Sequence, residues 1–183
     1  EVSSQIYKDL YVTLEDLILK KLLEFEKDTI KRIDYTFLET SFSFIKKDEN
    51  EWGVLPPWNF AVSYSEISSL LSQIKNIETG NIIAEKIENS AKYGFDKPRI
   101  KMVIVYSEGD KEESSGFIIG SEKDKDNYFL KRIDANFVYT IKKSDIDKFP
   151  SLKNDFREKN LVSFNRDDIA EITLYDKSKE LLL

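Results

Sequence analysis

Hydrophobic and polar positions alternate with a period of two in the first third of the chain. Between residues 30 and 54 the alternation occurs in three short runs separated by polar turns, with apolar side chains at Ile33, Tyr35, Phe37, Phe42, Phe44, Trp52 and Val54. This period is typical of strands with one buried face, so the pattern predicts a three-stranded antiparallel meander. Pro56 and Pro57 end the meander, because proline has no N–H to donate to a sheet.

A second series of apolar runs lies further along the chain. Its first member, Ile100–Tyr106, is almost continuously apolar and rich in β-branched residues, as in a strand covered on both faces. Three more runs follow at close spacing, at Gly116–Ile119, Tyr128–Ile133 and Phe137–Ile141. They predict a second meander, in which the charged stretch Glu108–Ser114 is a solvated hairpin tip.

Helical periodicity is clearest in the middle of the chain. Ser63 and Glu66 form a capping-box pattern, and apolar residues recur on one helical face at Ile67, Leu70, Leu71, Ile74 and Ile77. Shorter helices are predicted at 13–23, 144–146 and 151–159. Runs of strands interrupted by isolated helices indicate an α+β fold: antiparallel β-meanders with one main amphipathic helix and short helices.

The two ends of the chain resemble each other at one constant offset, the one that relates Phe25 to Phe164. At this offset Asp16 matches Asp155, and further identities and apolar matches continue without a gap. Matches of this kind suggest duplication, so we predict a tandem-repeat-like organisation. Its parts are the closing helix of a preceding unit at 1–24, one complete α+β unit at 25–164, and the opening strands of a following, truncated unit at 165–183.

Composition excludes several kinds of chemistry. The 183 residues are 40% hydrophobic and 34% charged, which fits a soluble globular protein. Because the chain has no cysteine and no histidine, it cannot form disulfides, zinc sites built on those residues or a histidine-containing catalytic triad. A net charge of −6 disfavours binding to nucleic-acid phosphates.

The sequence contains no membrane anchor of its own that we recognise. No apolar run reaches the roughly 18 residues that a spanning helix needs, and no signal peptide is visible. The chain begins with Glu1 rather than Met, which suggests a fragment of a longer protein. We therefore expect any anchor to lie outside this sequence.

Several segments, in this order, resemble the bacterial family of domain of unknown function 4340. They are Trp52 with Pro56 and Pro57, the amphipathic helix, the turn from Tyr93 to Pro98, and Phe117-Ile118-Ile119-Gly120. The turn, Tyr-Gly-hydrophobic-Asp-x-Pro, is the most specific piece. Phe95 is a departure, since the family usually has leucine there.

The resemblance implies an α+β domain, often in tandem copies, in envelope proteins. Some members are auxiliary components of gliding-type ABC transport systems, and others are anchored by a single N-terminal helix. It supplies no catalytic residue, cofactor or substrate. We accordingly expect an extracytoplasmic location, in the periplasm or cell envelope, with membrane anchoring in the full-length protein.

The stretch after the first meander is the best candidate for a binding surface. Trp58, Phe60 and Tyr64 lie in or beside a loop, where aromatic rings can stack on a glycan or on a proline-rich peptide. The alternative is packing, with Trp52 in the sheet, Trp58 over the start of the helix, and Phe60 and Tyr64 stapled against it. The packing interpretation is favoured, with Pro57 as part of the same structural motif.

The turn Tyr93-Gly94-Phe95-Asp96-Lys97-Pro98 also has two interpretations. Gly94 permits a positive φ and close backbone approach to a ligand. The simpler account is structural: Gly94 follows the end of a helix, Phe95 enters the core, Asp96 accepts from backbone amides and Pro98 fixes the entry to a strand.

Acidic residues provide no recognisable catalytic or metal site. Glu122, Asp124 and Asp126 form a loose acidic loop that lacks the spacing and the closing glutamate of an EF-hand.

From the sequence as a whole we predict a non-catalytic extracytoplasmic scaffold or protein-interaction module, without metal or cofactor, whose partners are proteins or neighbouring repeat units. A glycan- or peptide-binding module is the alternative, and a carboxylate-based hydrolase a remote one.

Overall fold

The structure, a computed structural model, describes residues 21–160, 171, 173–176 and 179–182. The strands are β1 Ile30–Phe37, β2 Thr40–Asp48, β3 Glu51–Val54, β4 Ile82–Ala84, β5 Ile100–Glu108, β6 Lys111–Glu122, β7 Asn127–Arg132, β8 Val138–Lys142, β9 Thr173–Asp176 and β10 Lys179–Leu182. The α-helices are α1 Tyr64–Asn76, α2 Lys143–Ile146 and α3 Lys153–Phe156, and single 3-10 turns occur at Lys27–Thr29 and Ser90–Tyr93.

One antiparallel sheet of eight strands dominates the described residues, in the order β3-β2-β1-β5-β6-β7-β8-β4. The strands of both predicted meanders are present, and β1 joins them, since Ile33 lies opposite Phe44 of β2 and opposite Ile104 of β5. The predicted α+β class with separate meanders is therefore wrong: the protein is mostly one β-sheet with few and short helices. Alternation identifies a strand but carries no information about its partner.

The predicted tandem-repeat organisation is also wrong for the part of the chain that the structure describes. A second, two-stranded sheet pairs β9 with β10, and Leu174 lies opposite Leu181 just as Tyr35 lies opposite Phe42. Within the described residues, the likeness of the two ends is seen in this one hairpin. Most of the helix predicted at 13–23 lies outside the described residues, and the boundaries at 24 and 164 remain predictions.

The main core lies on one face of the sheet, where α1 packs. The apolar face predicted for this helix is buried at Ile67, Leu70, Leu71 and Ile74. Ser63 is the residue before the helix, as predicted, but its hydroxyl contacts the Ser65 hydroxyl at 2.9 Å instead of capping a backbone N–H. Burial of the apolar face, and not the cap, is what stabilises α1.

The other face of the sheet is covered at one end by the segment between β4 and β5. Tyr93 and Phe95 from this segment pack with Val138 of β8 in a second, smaller apolar cluster, against which Ile118 and Phe129 also pack. Neighbouring residues on the same strands belong to the main core, as the period of two requires.

Candidate functional site

The predicted aromatic surface is not one flat exposed face. Trp58 and Phe60 are half-buried against the main core, and Tyr64, at the first turn of α1, is 43% exposed. Trp52 is buried in the sheet, which confirms the packing predicted for it. The structure therefore places Trp58 and Phe60 at the edge of the core and leaves Tyr64 directed to solvent.

Trp58 closes part of the outer edge of β2. Its indole Nε1 donates to the backbone oxygen of Ser41 at 2.7 Å, two residues from Ser43, whose oxygen accepts from the Leu55 N–H at 2.9 Å. The indole thus continues the series of donors where β3 ends. The ring also stacks on Phe42, with centroids 5.3 Å apart, so Trp58 packs on the sheet edge.

A short extended pairing lies beside Phe60. Val62 forms an antiparallel bridge with Arg157, and two backbone hydrogen bonds of 2.8 Å flank it, from Ser63 N to the Phe156 oxygen and from Glu158 N to the Ala61 oxygen. The pairing joins the segment before α1 to the segment after α3. It therefore brings together residues that are far apart in the sequence.

An open groove of about 730 Å³ runs along this pairing. We call it the Phe60 groove; its lining includes Asn59, Phe60, Lys153, Asn154, Arg157 and Lys159. Of the three aromatic residues predicted as a binding surface, Phe60 lines this groove. Trp58 lies beside it, with the Lys153 ammonium 5.5 Å from the Trp58 ring centre.

Cations outnumber acids in the Phe60 groove. Lys153, Arg157 and Lys159 line it together with one carboxylate, that of Glu158, which accepts from the backbone N–H of Asn160 at 2.9 Å. The groove thus has a local excess of positive charge, although the net charge of the whole chain is −6. The groove is therefore attractive to anionic groups while the rest of the surface, on average, repels them.

The position of α3 depends on Asp155 and Phe156. One carboxylate oxygen of Asp155 accepts from the backbone N–H groups of Ser151 and Leu152 at 2.9 and 2.8 Å, which fixes the start of this single turn. Phe156 is fully buried against aromatic rings of β1 and β2, with the Phe44 ring centre 4.8 Å away. The flanking cations of α3 are thus held at the mouth of the groove by a buried anchor.

A protein-family model described as Domain of unknown function (DUF4340) matches residues 52–183, more than two thirds of the chain. The chain belongs to this family. No curated protein and no solved structure matches it. The DUF4340 match confirms the predicted resemblance, and it spans every lining residue of the Phe60 groove.

The DUF4340 turn from Tyr93 to Pro98 is built as a helix ending. Gly94 has a φ of 73°, and its N–H donates to the Ala91 oxygen at 3.1 Å, which confirms the predicted role of this glycine. Phe95 is buried in the second cluster and not in the main core. Asp96 is exposed, and its carboxylate makes none of the predicted bonds to backbone amides within 21–160.

The acidic loop of this DUF4340 chain is a turn held by its own side chains. Asp124 accepts from Asp126 N, from Asn127 Nδ2 and from Lys123 Nζ, all at 2.9–3.0 Å. These bonds, that of Lys123 foremost, hold the pKa of the Asp124 carboxyl below its usual range. Among the described residues no cluster of three or more acidic side chains is placed to hold a metal ion.

Sequence reasoning missed the basic residues of the groove. Lys153 and Arg157 are four residues apart, which is a usable signal, but the sequence interpretation assigned them to a longer helix. Their association with Phe60 depends on the Val62–Arg157 pairing, which no local pattern predicts.

None of the helices in the described part of the chain is long and apolar enough to cross a membrane.

Proposed function

We propose that this chain is a non-catalytic protein-interaction module that binds an extended segment of a partner protein in the Phe60 groove. The observation that carries the proposal is the groove itself, an open depression of about 730 Å³ that combines a half-buried aromatic ring with three cations. An apolar contact surrounded by polar groups is the arrangement that peptide-binding grooves use. Asn59 and Asn154, also in the lining, provide amide groups for the peptide backbone.

The chemistry of the groove supports binding rather than hydrolysis. A carboxylate-based hydrolase needs two carboxyl groups facing each other across its cleft. The groove lining contains the single carboxylate of Glu158, and that group already accepts a backbone N–H.

A glycan-binding role is less favoured by the surroundings of Trp58. Sugar rings stack on exposed aromatic faces. The Trp58 ring stacks on Phe42 and lies 5.5 Å from the Lys153 ammonium, and its N–H is bonded to Ser41. Phe60 is then the aromatic ring that remains for a ligand in the groove.

We further propose an extracytoplasmic location, with the full-length protein anchored in the bacterial membrane. The support is the expectation attached to the DUF4340 resemblance, in which members are envelope proteins. The test is protease treatment of intact spheroplasts that make the full-length protein. Digestion of the domain supports an outer location, and protection until the membrane is lysed contradicts it.

The binding proposal is tested by selecting displayed random peptides on the immobilised protein. Phe60→Ala serves as the counter-selection variant, since it removes the ring from the groove, and Tyr64→Ala serves as the control, since Tyr64 is exposed outside the groove lining. We expect peptides that wild type and Tyr64→Ala retain and Phe60→Ala loses. Failure to enrich any peptide, or enrichment that Phe60→Ala retains fully, contradicts the proposal.

A further inference from the structure

We infer that the segment bound in the Phe60 groove is acidic, with carboxylates on either side of an apolar side chain that contacts Phe60. This inference rests on the proposed function and specifies the chemistry of its ligand. It follows from the state of each cation in the groove, from the charge of the whole chain and from the position of the aromatic ring.

Arg157 is the strongest recognition group. It is exposed, and its guanidinium forms no ion pair with any carboxylate of the described residues. The bridge to Val62 and the burial of the preceding Phe156 hold its backbone, so the point from which the Arg157 side chain extends is fixed. A guanidinium in this position can bind a carboxylate through two parallel hydrogen bonds.

The two lysines are engaged only weakly. Lys159 Nζ lies 3.7 Å from Glu66 Oε1, and both side chains are well exposed. Exposed pairs of this kind contribute little, typically less than about 1 kcal/mol. Lys153 lies over the Trp58 ring at 5.5 Å, which leaves its N–H groups free to donate to an incoming carboxylate.

The charge of the chain gives direction to the approach of an acidic ligand. The groove lining has three cations and one anion, whereas the whole chain has a net charge of −6. An acidic segment is repelled on average and attracted at the groove, so charge selects the site as well as the ligand. A basic segment would be attracted to the chain on average and repelled by the cations of the groove, so it is disfavoured there.

The aromatic ring determines where the apolar contact falls. Phe60 packs against the main core on one side and lines the groove on the other. Burying an aliphatic or aromatic side chain against it adds an interaction that salt does not screen. A peptide that alternates acidic and apolar residues therefore satisfies the groove better than a purely acidic one.

The inference is tested with three labelled peptides of equal length, each with one central phenylalanine flanked by glutamates, by glutamines or by lysines. Fluorescence anisotropy gives their affinities for the intact protein. We expect the glutamate peptide to bind about tenfold or more tightly than the glutamine peptide, with an affinity that falls as salt is raised. The lysine peptide is expected not to bind measurably.

Three charge variants locate the interaction. Arg157→Glu is expected to weaken binding of the glutamate peptide at least tenfold, and Arg157→Gln to weaken it less. Lys101→Glu is the matched control: it makes the same charge reversal on β5, where Lys101 is exposed between the buried Ile100 and Met102, on the other face of the sheet. This control should retain wild-type affinity within about twofold.

The outcomes separate the inference from the proposed function. Equal binding of the glutamate and glutamine peptides, both lost in Phe60→Ala, overturns the acidic ligand and keeps the groove. Binding of the glutamate peptide that Lys101→Glu weakens as much as Arg157→Glu overturns the assignment to the groove. Absence of binding by all peptides contradicts the proposed function itself. Self-association that Arg157→Glu abolishes, without peptide binding, identifies a second copy of the chain as the occupant and overturns the inference.

Discussion

The phenolic hydroxyl of Tyr35 donates a hydrogen bond of 2.6 Å to the backbone oxygen of Pro150. Tyr35 lies on β1, an interior strand of the sheet, and is fully buried, and Pro150 lies in the link between α2 and α3. This bond ties the segment that leads to the groove directly to the middle of the core. Burial, assisted by the negative charge of Asp155, raises the pKa of the Tyr35 phenol well above its ordinary value of 10.0.

Stability should therefore fall at alkaline pH. Because the folded-state pKa of Tyr35 lies above the unfolded-state value, the stabilisation is complete below about pH 10 and is lost as the pH rises towards the folded-state pKa. Tyr35→Phe is expected to be about 1 kcal/mol less stable at neutral pH, since it loses the bond to Pro150. Urea unfolding across the pH range should show the difference between wild type and variant shrinking above pH 10. A constant difference contradicts the shifted pKa.

Gly94 and Gly109 form a matched pair for separating backbone strain from steric conflict. Both have positive φ, 73° and 60°. A Cβ at Gly94 would lie 2.5 Å from the backbone nitrogen of Ser121, whereas a Cβ at Gly109 meets nothing within 4 Å. We expect Gly109→Ala to cost about 1 kcal/mol of unfolding free energy and Gly94→Ala distinctly more, measured by urea denaturation. Equal losses would show that the Ser121 contact relaxes freely.

Trp58→Phe tests the closure of the β2 edge. The variant keeps a ring to stack on Phe42 but loses the indole donor to Ser41, so we expect a loss of about 1 kcal/mol of unfolding free energy. Tyr64→Phe is the control, because its exposed side chain should change stability by less than about 0.5 kcal/mol. If Trp58→Phe matches the control, the hydrogen bond makes no net contribution.

Asp155 variants test how the groove is held in place. Asp155→Ala removes the acceptor for the N–H groups of Ser151 and Leu152, and we expect a loss of about 1–2 kcal/mol of unfolding free energy. Asp155→Asn keeps an acceptor oxygen and should lose less. Hydrogen exchange should show faster exchange at these two amides in the alanine variant. Unchanged exchange at both amides would contradict the role of the carboxylate.

The sequence predicts local structure well and long-range pairing poorly. The alternation through Ile33 and Tyr35 is enough to place β1, because burial of one face imposes the period of two. The pairing of Ile33 with Ile104, which unites the two meanders, has no such local signature. The predicted α+β class was wrong for this reason.

In the candidate site, too, the sequence predicts local features but not the contacts between distant segments. Phe60 was identified because an aromatic residue after a proline turn is visible in a linear sequence. Its basic neighbours were not, because Lys153 and Arg157 reach it only through tertiary packing of the buried Phe156. Trp58, which was predicted to cover the helix start, donates to the backbone oxygen of Ser41 at the edge of β2, a partner that the sequence does not reveal.

The position of β1 between β2 and β5 has a consequence for synthesis on the ribosome. When β1 and β2 emerge as a hairpin, the other edge of β1 has no neighbour until β5, beginning at Ile100, has been translated. The nascent chain therefore presents an open strand edge for the time needed to make that intervening stretch. Such delayed, non-local closure is typical of slow folding, and it makes this interval the one in which a chaperone would contribute most.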